Sequence, residues 1–432
     1  MKIGMISLGC DKNRVDSEKM LFALKNAGYI PTEDENDAEV IIINSCAFID
    51  KAKEETIDTV FETAELKNTG KLKYLVLTGC FAQRYAESKA ELPEVDLFVD
   101  IREERDIVAK LDALTGRNSI AEKKQADGRI VTTPAHYAYL KIAEGCDNRC
   151  SYCAIPYIRG RYVSTPVEDL VNEAKDLADG GVKELILVAQ DVTNYGKDLY
   201  GKPSLIALLQ ELIKLDVWKI RILYAYPELI TDELLDFIKN NDKVAKYLDI
   251  PMQHADSALL KKMNRKNTEP VSALIARIRQ KIPDIALRSG FICGFPYETE
   301  AEHERLIDFL SNGVDYGGFF AVSPEEGTPA YNWTERADKR TVKRWVNECE
   351  DRQTRFTLSR QKRFVGRIMD VIYEGIDYDK QMFVGRTEYN APDIDTKVYF
   401  FSDFPLEVGK VVKVKIEDSD FHLYGSTVTE VI

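Results

Sequence analysis

The stretch Cys146-Asp-Asn-Arg-Cys150-Ser-Tyr-Cys153 places three cysteines within eight residues. It follows an apolar segment, residues 137–142, whose pattern predicts a buried strand. Thiolates are soft ligands that favour iron–sulfur clusters or zinc. Because no fourth cysteine lies nearby, a four-iron cluster held here would keep one iron open for a substrate. The alternative is a zinc knuckle that a distant histidine or cysteine completes.

Five further predicted strands follow this segment, with helical patterns between them. The strands are residues 184–188, 219–224, 247–250, 286–293 and 318–322. The clearest helical patterns cover residues 167–178 and 204–215. About six βα units over some 200 residues predict a full or partial βα barrel of the TIM type.

Residues 1–115 also alternate between strands and helices. The predicted strands are residues 2–8, 40–43, 74–78 and 97–99, and the predicted helices are residues 17–27, 50–66, 84–90 and 103–114. This alternation predicts an α/β domain with a doubly wound parallel sheet. Residues 116–135 have little periodic pattern and are predicted to be a linker.

A second set of cysteines lies in this first domain. Cys10, Cys46 and Cys80 each come just after a predicted strand. Because ligands of open α/β sheets gather beyond the carboxyl ends of the strands, the three thiols can converge on one site. Position alone leaves open the alternative of three unrelated buried thiols, since free cysteine is among the most buried residues.

The C-terminal part changes character. Residues 336–363 form a basic helical pattern, which we interpret as a solvated amphipathic helix, and residues 364–432 contain about five short alternating strands. Such strands predict a small all-β barrel. This segment has 7 Lys and Arg against 13 Asp and Glu, a net charge of −6.

The whole chain of 432 residues has 59 Lys and Arg against 72 Asp and Glu, a net charge of −13. This balance argues against a protein that binds nucleic acid by bulk charge. No apolar run approaches the roughly 18 residues of a spanning helix, and the first residues read as a strand rather than a secretory signal. We therefore expect a cytoplasmic protein without a membrane partner, whose eight cysteines stay reduced.

Several stretches resemble the methylthiotransferase branch of the radical S-adenosylmethionine (SAM) enzymes. They include Ser7-Leu-Gly-Cys-Asp-Lys-Asn-Arg-Val-Asp-Ser-Glu18 and Gly79-Cys-Phe-Ala-Gln-Arg84, together with residues 139–146, 189–191, 247–254 and 294–300. The resemblance implies three domains: an auxiliary-cluster domain (residues 1–120), a radical SAM domain with a partial TIM-like barrel (135–363) and a C-terminal TRAM barrel (364–432).

The resemblance also implies the cofactors. One [4Fe-4S] cluster on Cys146, Cys150 and Cys153 would bind SAM and cleave it to a radical, and a second on Cys10, Cys46 and Cys80 would hold the sulfur that is transferred. Residues implied to contact SAM are Tyr152, Gln190, Asp191, Gly290, Ile292, Gly294 and Glu298. The chain departs from the usual family pattern at Cys293, at Tyr297 and at residues 320–324.

Residues 10–18 and 384–395 are most similar to members that modify a protein. These add a methylthio group to the β-carbon of an aspartate in small-subunit ribosomal protein S-twelve, with electrons from a flavodoxin or ferredoxin. The acidic barrel would suit such a basic partner, although an acidic face also serves solubility. The alternatives are a transfer-RNA methylthiotransferase, and a non-catalytic iron–sulfur scaffold or RNA-binding protein.

Other residues receive plainer interpretations. We expect Cys293 and Cys349 to be packing residues, Arg288 to form a structural ion pair, and His254 to face the barrel cavity. The remaining histidines are expected at the surface: His136, His303 and His422. Four acidic side chains are expected to be exposed on the barrel: Asp393, Asp395, Glu417 and Asp418.

Overall fold

A computed structural model describes residues 1–118 and 128–428. Its contacts define two units, which are described separately below. Unit 1 comprises Met1–Pro134, Tyr139–Val163 and Ser323–Tyr331, and unit 2 comprises Ala135–Ala138, Ser164–Val322 and Asn332–Ile432. Residues 119–127 of the predicted linker lie outside the described residues.

Unit 1 contains a parallel five-stranded sheet of order β2-β1-β3-β4-β5. Its strands are β1 (Lys2–Ser7), β2 (Ile30–Pro31), β3 (Val40–Ser45), β4 (Tyr74–Thr78) and β5 (Leu97–Phe98). The helices between and after them are α1 (Asp11–Asn26), α2 (Asp50–Ala64), α3 (Leu66–Thr69), α4 (Gly79–Arg84) and α5 (Ile107–Thr115). The predicted doubly wound sheet is confirmed.

Helix α1 begins at Asp11, six residues earlier than the apolar pattern predicted. Its first two turns bury polar side chains, among them Asn13, Asp16 and Ser17. Apolar periodicity cannot reveal a helix whose buried face is polar. Helix α4 has a different cause: it follows β4 without a loop, so it ends at Arg84, near where the sequence predicted a helix to begin.

The central sheet has six strands in the order β13-β12-β11-β10-β9-β6, and the neighbouring strands from β9 to β13 pair in parallel. These strands are β6 (Tyr137–Lys141), β9 (Glu184–Val188), β10 (Lys219–Ile222), β11 (Val244–Asp249), β12 (Ala286–Cys293) and β13 (Tyr316–Ala321), while β7 (Ala143–Glu144) and β8 (Val163–Ser164) form a separate pair. The predicted partial barrel is confirmed.

Helices alternate with these strands. They are α6 (Ile155–Ile158), α7 (Val167–Asp179), α8 (Lys197–Tyr200), α9 (Leu205–Leu212), α10 (Asp232–Asn240), α11 (Ser257–Lys262), α12 (Val271–Lys281), α13 (Glu300–Leu310) and α14 (Lys339–Gln361). The last is the basic helix of the sequence. It is amphipathic, as predicted, but its inner stripe, which includes Val342, Trp345 and Cys349, is buried.

The C-terminal segment of unit 2 forms a closed five-stranded barrel of order β14-β15-β16-β18-β17. The strands are β14 (Ile368–Asp377), β15 (Met382–Arg386), β16 (Val398–Phe401), β17 (Val411–Ser419) and β18 (Leu423–Thr427). Within unit 2, buried Arg386 on β15 pairs with Glu184 on β9 at 2.8 Å, and Glu184 also pairs with Arg221 on β10 at 2.7 Å. These ions join the barrel to the central sheet.

The prediction that His136 and His303 lie at the surface was wrong. His136 and His303 are 3% and 1% exposed, and they contact Glu374 and Glu348 at 3.0 and 2.8 Å. A carboxylate partner lets each ring nitrogen be buried, which the sequence position did not reveal. Among the described residues, no helix is both long and apolar enough to cross a bilayer.

Candidate functional site

Cys10, Cys46 and Cys80 lie at one edge of the unit 1 sheet. They follow β1, β3 and β4, which are neighbours in the sheet and parallel. Cys10 precedes α1 as its N-cap residue, and Cys80 is the second residue of α4. The strand order therefore brings the three cysteines to the same carboxyl-terminal edge, as the sequence predicted.

Two glycines with left-handed backbone allow this approach. Gly9 has φ +82°, and a Cβ built on it would lie 2.7 Å from Cys46 Cβ and 2.8 Å from Cys46 Sγ. Gly79 has φ +88°, and a Cβ there would clash with the Asn44 side chain and the Ser45 backbone. Any larger residue at Gly9 would push into the space beside the Cys46 thiol.

Asn13, on the first turn of α1, contacts two of the three cysteines, Cys10 and Cys80. Its Oδ1 lies 3.8 Å from Cys10 Sγ and 3.9 Å from Cys80 Sγ, and each thiol donates to it. Its Nδ2 donates to the carbonyl oxygens of Leu8 and Ser45, at 2.9 and 3.0 Å. The amide is thus held by the ends of β1 and β3 while its oxygen faces two of the sulfurs.

Arg159, the C-cap residue of α6, places a positive charge beside the cysteines. Its Nε donates to Cys80 Sγ at 3.4 Å, and its Nη2 donates to Asn13 Oδ1. Its Nη1 contacts Asp16 Oδ2 at 3.2 Å and Glu144 Oε2 at 2.5 Å. Neither Asn13 nor Arg159 was singled out from the sequence, since no spacing rule links Arg159 to the cysteines.

Burial perturbs the thiols. It raises the pKa of Cys80 to about 12, although the positive charge of Arg159 opposes the change. Burial likewise raises the pKa of the Cys46 thiol. Without a metal the two groups therefore stay protonated, and binding iron must displace their protons.

Cys146, Cys150 and Cys153 lie on the loop between β7 and α6, also in unit 1. Gly145 opens the loop with φ +77°, and the Cys146 amide donates to the Gly160 carbonyl at 3.2 Å. The Cys153 amide donates to the Cys150 carbonyl at 3.1 Å, which makes a tight turn. Cys150 is buried and the other two are partly exposed.

The two sets of thiols do not gather around a single ion. Among the described residues, no group of three or more His, Cys, Asp or Glu side chains is close enough to hold one metal ion. In a four-iron cluster each cysteine binds a different iron, so its ligands stand farther apart.

In unit 2, β12 presents two distinct faces. Ser289, Phe291 and Cys293 are buried, whereas Arg288, Gly290 and Ile292 alternate with them and are partly exposed. A Cβ at Gly290 would meet only Phe320 Cε2, at an ordinary 3.6 Å. The protein itself therefore leaves room for a side chain at Gly290, and that space suits a ligand lying on the strand.

The other predicted SAM contacts in unit 2 also have structural roles. Glu298 accepts from the amides of Gly294 and Phe295, at 2.5 and 3.1 Å, and lies 3.3 Å from His254 Nε2. A Cβ at Gly294 would clash with Val342 of α14. Asp191 accepts from the Thr193 and Asn194 amides as an N-cap. Direct contacts of these residues with SAM stay predictions, as do those of Tyr152 and Gln190.

Two of the departures from the family pattern, Tyr297 and Cys293, make specific local contacts. Tyr297 takes a left-handed φ of +74°, and its ring packs under Lys262 Nζ at 3.9 Å from the centroid. Cys293 is fully buried, and a hydrogen bond with Cys349 together with burial raises its pKa. Arg288 forms the expected structural ion pair, with Asp249 at 3.3 Å.

Three family models match successive parts of the chain. Residues 2–100 match the uncharacterized protein family UPF0004, residues 140–310 the radical SAM superfamily and residues 365–428 the TRAM domain. The precise domain boundaries stay a prediction. The order of the three matches is the order that the resemblance implied.

Curated relatives match over nearly the full chain. The ribosomal protein uS12 methylthiotransferase RimO of Lachnoclostridium phytofermentans is 44% identical over 99% of this chain and 100% of its own length. The RimO proteins of Geobacter sulfurreducens and Clostridioides difficile are each 43% identical, over 99% and 100% of this chain and 99% of their own lengths.

Solved structures share the fold at low identity. The radical SAM methyltransferase TsrM from Kitasatospora setae, with cobalamin and a [4Fe-4S] cluster bound, superposes with a TM-score of 0.55 at 14% identity, covering 76% of this chain and 77% of that one. The cobalamin-dependent SAM radical enzyme OxsB gives 0.51 at 13% identity, over 81% and 56%. At these identities the likeness concerns the fold alone.

Proposed function

The chain belongs to the RimO family of radical SAM methylthiotransferases, and from this premise we propose that it adds a methylthio group to the β-carbon of an aspartate in ribosomal protein uS12, the S-twelve protein of the small subunit. The observation that carries the proposal is the 44% identity to a uS12 methylthiotransferase over 99% of this chain and 100% of that relative. As a radical SAM enzyme, the protein works with a [4Fe-4S] cluster and SAM.

We assign the SAM-binding cluster to Cys146, Cys150 and Cys153, whose spacing leaves one iron without a protein ligand. When bound, the cluster and SAM supply the radical that removes hydrogen from the unactivated β-carbon, which acid–base chemistry cannot do. The protein holds the three thiols on a loop that Gly145 and the bond between Cys146 and Gly160 close.

A second cluster on Cys10, Cys46 and Cys80 would hold the sulfur to be transferred. What supports this is their convergence at one edge of the unit 1 sheet, with Asn13 accepting from two of the thiols. The match of residues 2–100 to a separate family model is consistent with an additional function in this domain.

In unit 2, Gly290 and Ile292 are the residues we propose to lie along SAM, because they share the partly exposed face of β12. The absence of a side chain at Gly290 leaves space that no nearby protein atom requires. Glu298 and Asp191 would act mainly by holding the turn after β12 and the segment after β9 in shape.

The negative charge of the TRAM barrel supports the proposal that the substrate is a basic protein. Glu417, Asp418 and Asp420 are exposed on and beside β17. A barrel that binds transfer RNA needs clustered basic residues, because it must neutralise phosphates. We place the enzyme in the cytoplasm, where uS12 is available and where a flavodoxin or ferredoxin would deliver electrons.

The test is mass spectrometry of uS12 and of transfer RNA from cells that lack the gene. We expect the methylthio mass to disappear from the aspartate of uS12. It should return when the intact gene is restored, but not when the gene that encodes the Cys150→Ala variant is restored. If uS12 is unchanged and a transfer-RNA modification is lost, the transfer-RNA alternative is correct. If neither changes, the non-catalytic alternative gains support.

A further inference from the structure

The guanidinium of Arg159 donates a hydrogen bond to the sulfur of Cys80, one of the three cysteines at the edge of the unit 1 sheet. Its Nε lies 3.4 Å from Cys80 Sγ. Arg159 is 8% exposed, so water competes little for its donors. A cation that donates to a buried sulfur affects any metal bound there more strongly than a solvated cation would.

The position of this guanidinium is fixed from several sides. Asn13 and Asp16 of α1 accept from its terminal nitrogens, and so does Glu144 of β7. Arg159 is the C-cap residue of α6. The N-cap residue Ala154 and the last helical residue Ile158 are buried in the same apolar core as Cys80. The donor is therefore already oriented toward the sulfur before any metal binds.

Counting Arg159 itself, the positive and negative side chains around it are equal in number. Lys141 pairs with Asp16 and lies 2.9 Å from Glu144, so two cations face two carboxylates. Because both carboxylates compensate it, the buried guanidinium keeps its charge and its full set of donors.

We propose that Arg159 is a positioning residue for the cluster on Cys10, Cys46 and Cys80, and that its hydrogen bond to the Cys80 sulfur raises the reduction potential of that cluster. The inference rests on the proposed second cluster. Hydrogen bonds to ligand sulfurs withdraw electron density and stabilise the reduced state, and they are a principal means by which proteins set cluster potentials.

The test uses the full-length chain with Cys146, Cys150 and Cys153 changed to Ala, so that only the second cluster contributes a signal. Its midpoint potential is measured by anaerobic redox titration with electron paramagnetic resonance. Arg159→Met is compared with the double variant Arg159→Met/Glu144→Gln, which removes one cation and one anion and so preserves the net charge. Arg102→Met, an exposed arginine of the same unit, is the matched control.

We expect the midpoint to become more negative in Arg159→Met and in the charge-preserving double variant, and to stay unchanged in Arg102→Met. Glu144→Gln alone should shift it the opposite way, because a nearby negative charge is removed. A merely structural role would lower iron occupancy or thermal stability without moving the potential of the clusters that remain.

The outcomes separate the two claims. If the parent triple variant binds no iron, the second cluster itself is wrong. If it binds a cluster whose potential does not change in the Arg159 variants, the second cluster stands and the role of Arg159 is refuted. Loss of the cluster from both Arg159 variants would mean that the side chain serves assembly rather than tuning, which also overturns the proposal.

Discussion

The phenol of Tyr247 on β11 donates a hydrogen bond to Asp395 Oδ2, 2.7 Å away. The Asp395 side chain is fully buried, and the Ala391 amide donates to the same oxygen at 2.8 Å. The two residues belong to the stretches 247–254 and 384–395, both of which carry the family resemblance. The expectation that Asp395 is an exposed barrel charge was therefore wrong, because it anchors the loop before β16 to the central sheet.

This contact predicts a stability effect. Tyr247→Phe and Asp395→Asn should each lower the free energy of unfolding by about 1–3 kcal/mol, because each leaves a buried polar group with a poorer partner. Anaerobic denaturant unfolding measures the change. Asp403→Asn, on an exposed barrel residue, is the control and should have no effect. Equal stability of all three variants would show that the contact contributes nothing.

The cysteine assignment predicts iron content. Anaerobically prepared protein should carry about eight irons, as two four-iron clusters require. Changing Cys146, Cys150 and Cys153 to Ala should leave about four, and so should changing Cys10, Cys46 and Cys80. Cys349→Ala is the control and should keep all the iron, since Cys349 lies in the buried stripe of α14. Full iron in either triple variant would contradict the assignment.

The two triple variants should also differ in chemistry. Loss of Cys146, Cys150 and Cys153 should abolish reductive cleavage of SAM, whereas loss of Cys10, Cys46 and Cys80 should preserve cleavage and stop methylthio transfer. Chromatographic measurement of deoxyadenosine and mass spectrometry of uS12 distinguish the two steps. Loss of SAM cleavage in a folded variant of the second set would mean that both sets serve one site.

Substitutions at two glycines near the end of β12 should have different effects, one on stability and the other on SAM binding. Gly294→Ala should destabilise the protein by about 1–3 kcal/mol, because its φ is +78° and its Cβ would strike Val342. Gly290→Ala should leave stability unchanged and weaken SAM binding about tenfold or more, since its Cβ would occupy the proposed ligand space. Equilibrium SAM binding and unfolding are measured on both. Normal SAM affinity in Gly290→Ala would remove Gly290 from the binding site.

The buried Glu104 side chain predicts that the stability of the protein depends on pH. Burial, with the nearby charge of Asp16, raises its pKa to about 8. The single proton of the Thr78 hydroxyl cannot be donated both to the Val99 carbonyl, at 3.0 Å, and to Glu104 Oε1, at 2.9 Å. A protonated Glu104 resolves this, because it can donate to Thr78 while Thr78 donates to Val99.

Because the folded pKa lies above that of the unfolded chain, the folded state binds the extra proton. Stability should thus fall as pH rises from about 4.5 to about 8. Glu104→Gln should remove that fall and stabilise the protein by about 1–3 kcal/mol at pH 8, with little effect at pH 5. Glu103→Gln, whose pKa the bond from Lys110 lowers, is the neighbouring control and should show no such gain. Parallel pH profiles for the parent and Glu104→Gln would contradict the prediction.

The acidic barrel predicts salt-dependent binding. Glu417→Lys/Asp418→Lys should slow association with uS12, and the difference should shrink at high salt because charges are screened beyond about 8 Å at physiological ionic strength. The control Glu304→Lys/Asp308→Lys makes the same charge change on exposed residues of α13. Affinity for transfer RNA should rise in the barrel variant. If the parent already prefers transfer RNA, the choice of uS12 is wrong.

Some features could be predicted because they depend on local pattern. The strands Tyr74–Thr78, Glu184–Val188 and Ala286–Cys293 occur at the predicted residues, since each is a short run of mostly apolar or β-branched residues. The edge that Cys10, Cys46 and Cys80 share was also predictable. It requires only that the strands before them be parallel neighbours.

What could not be predicted is the set of polar contacts between distant segments. The sequence pattern places the start of helix α1 too late, because its buried face carries Asn13 and Asp16 instead of apolar residues. His303 was placed at the surface, although Glu348 and the stacked ring of Trp345 make its burial favourable. Such partners leave no periodic signal along the chain.

The sequence by itself determined the order of the three folds, the spacing of the cysteines and the acidic character of the last barrel, because these depend on neighbouring residues or on composition. Only the tertiary structure decided that Arg159 donates to Cys80 and that Tyr247 donates to Asp395. The partners are 79 and 148 residues apart, and a hydrogen bond is a matter of distance and angle in space.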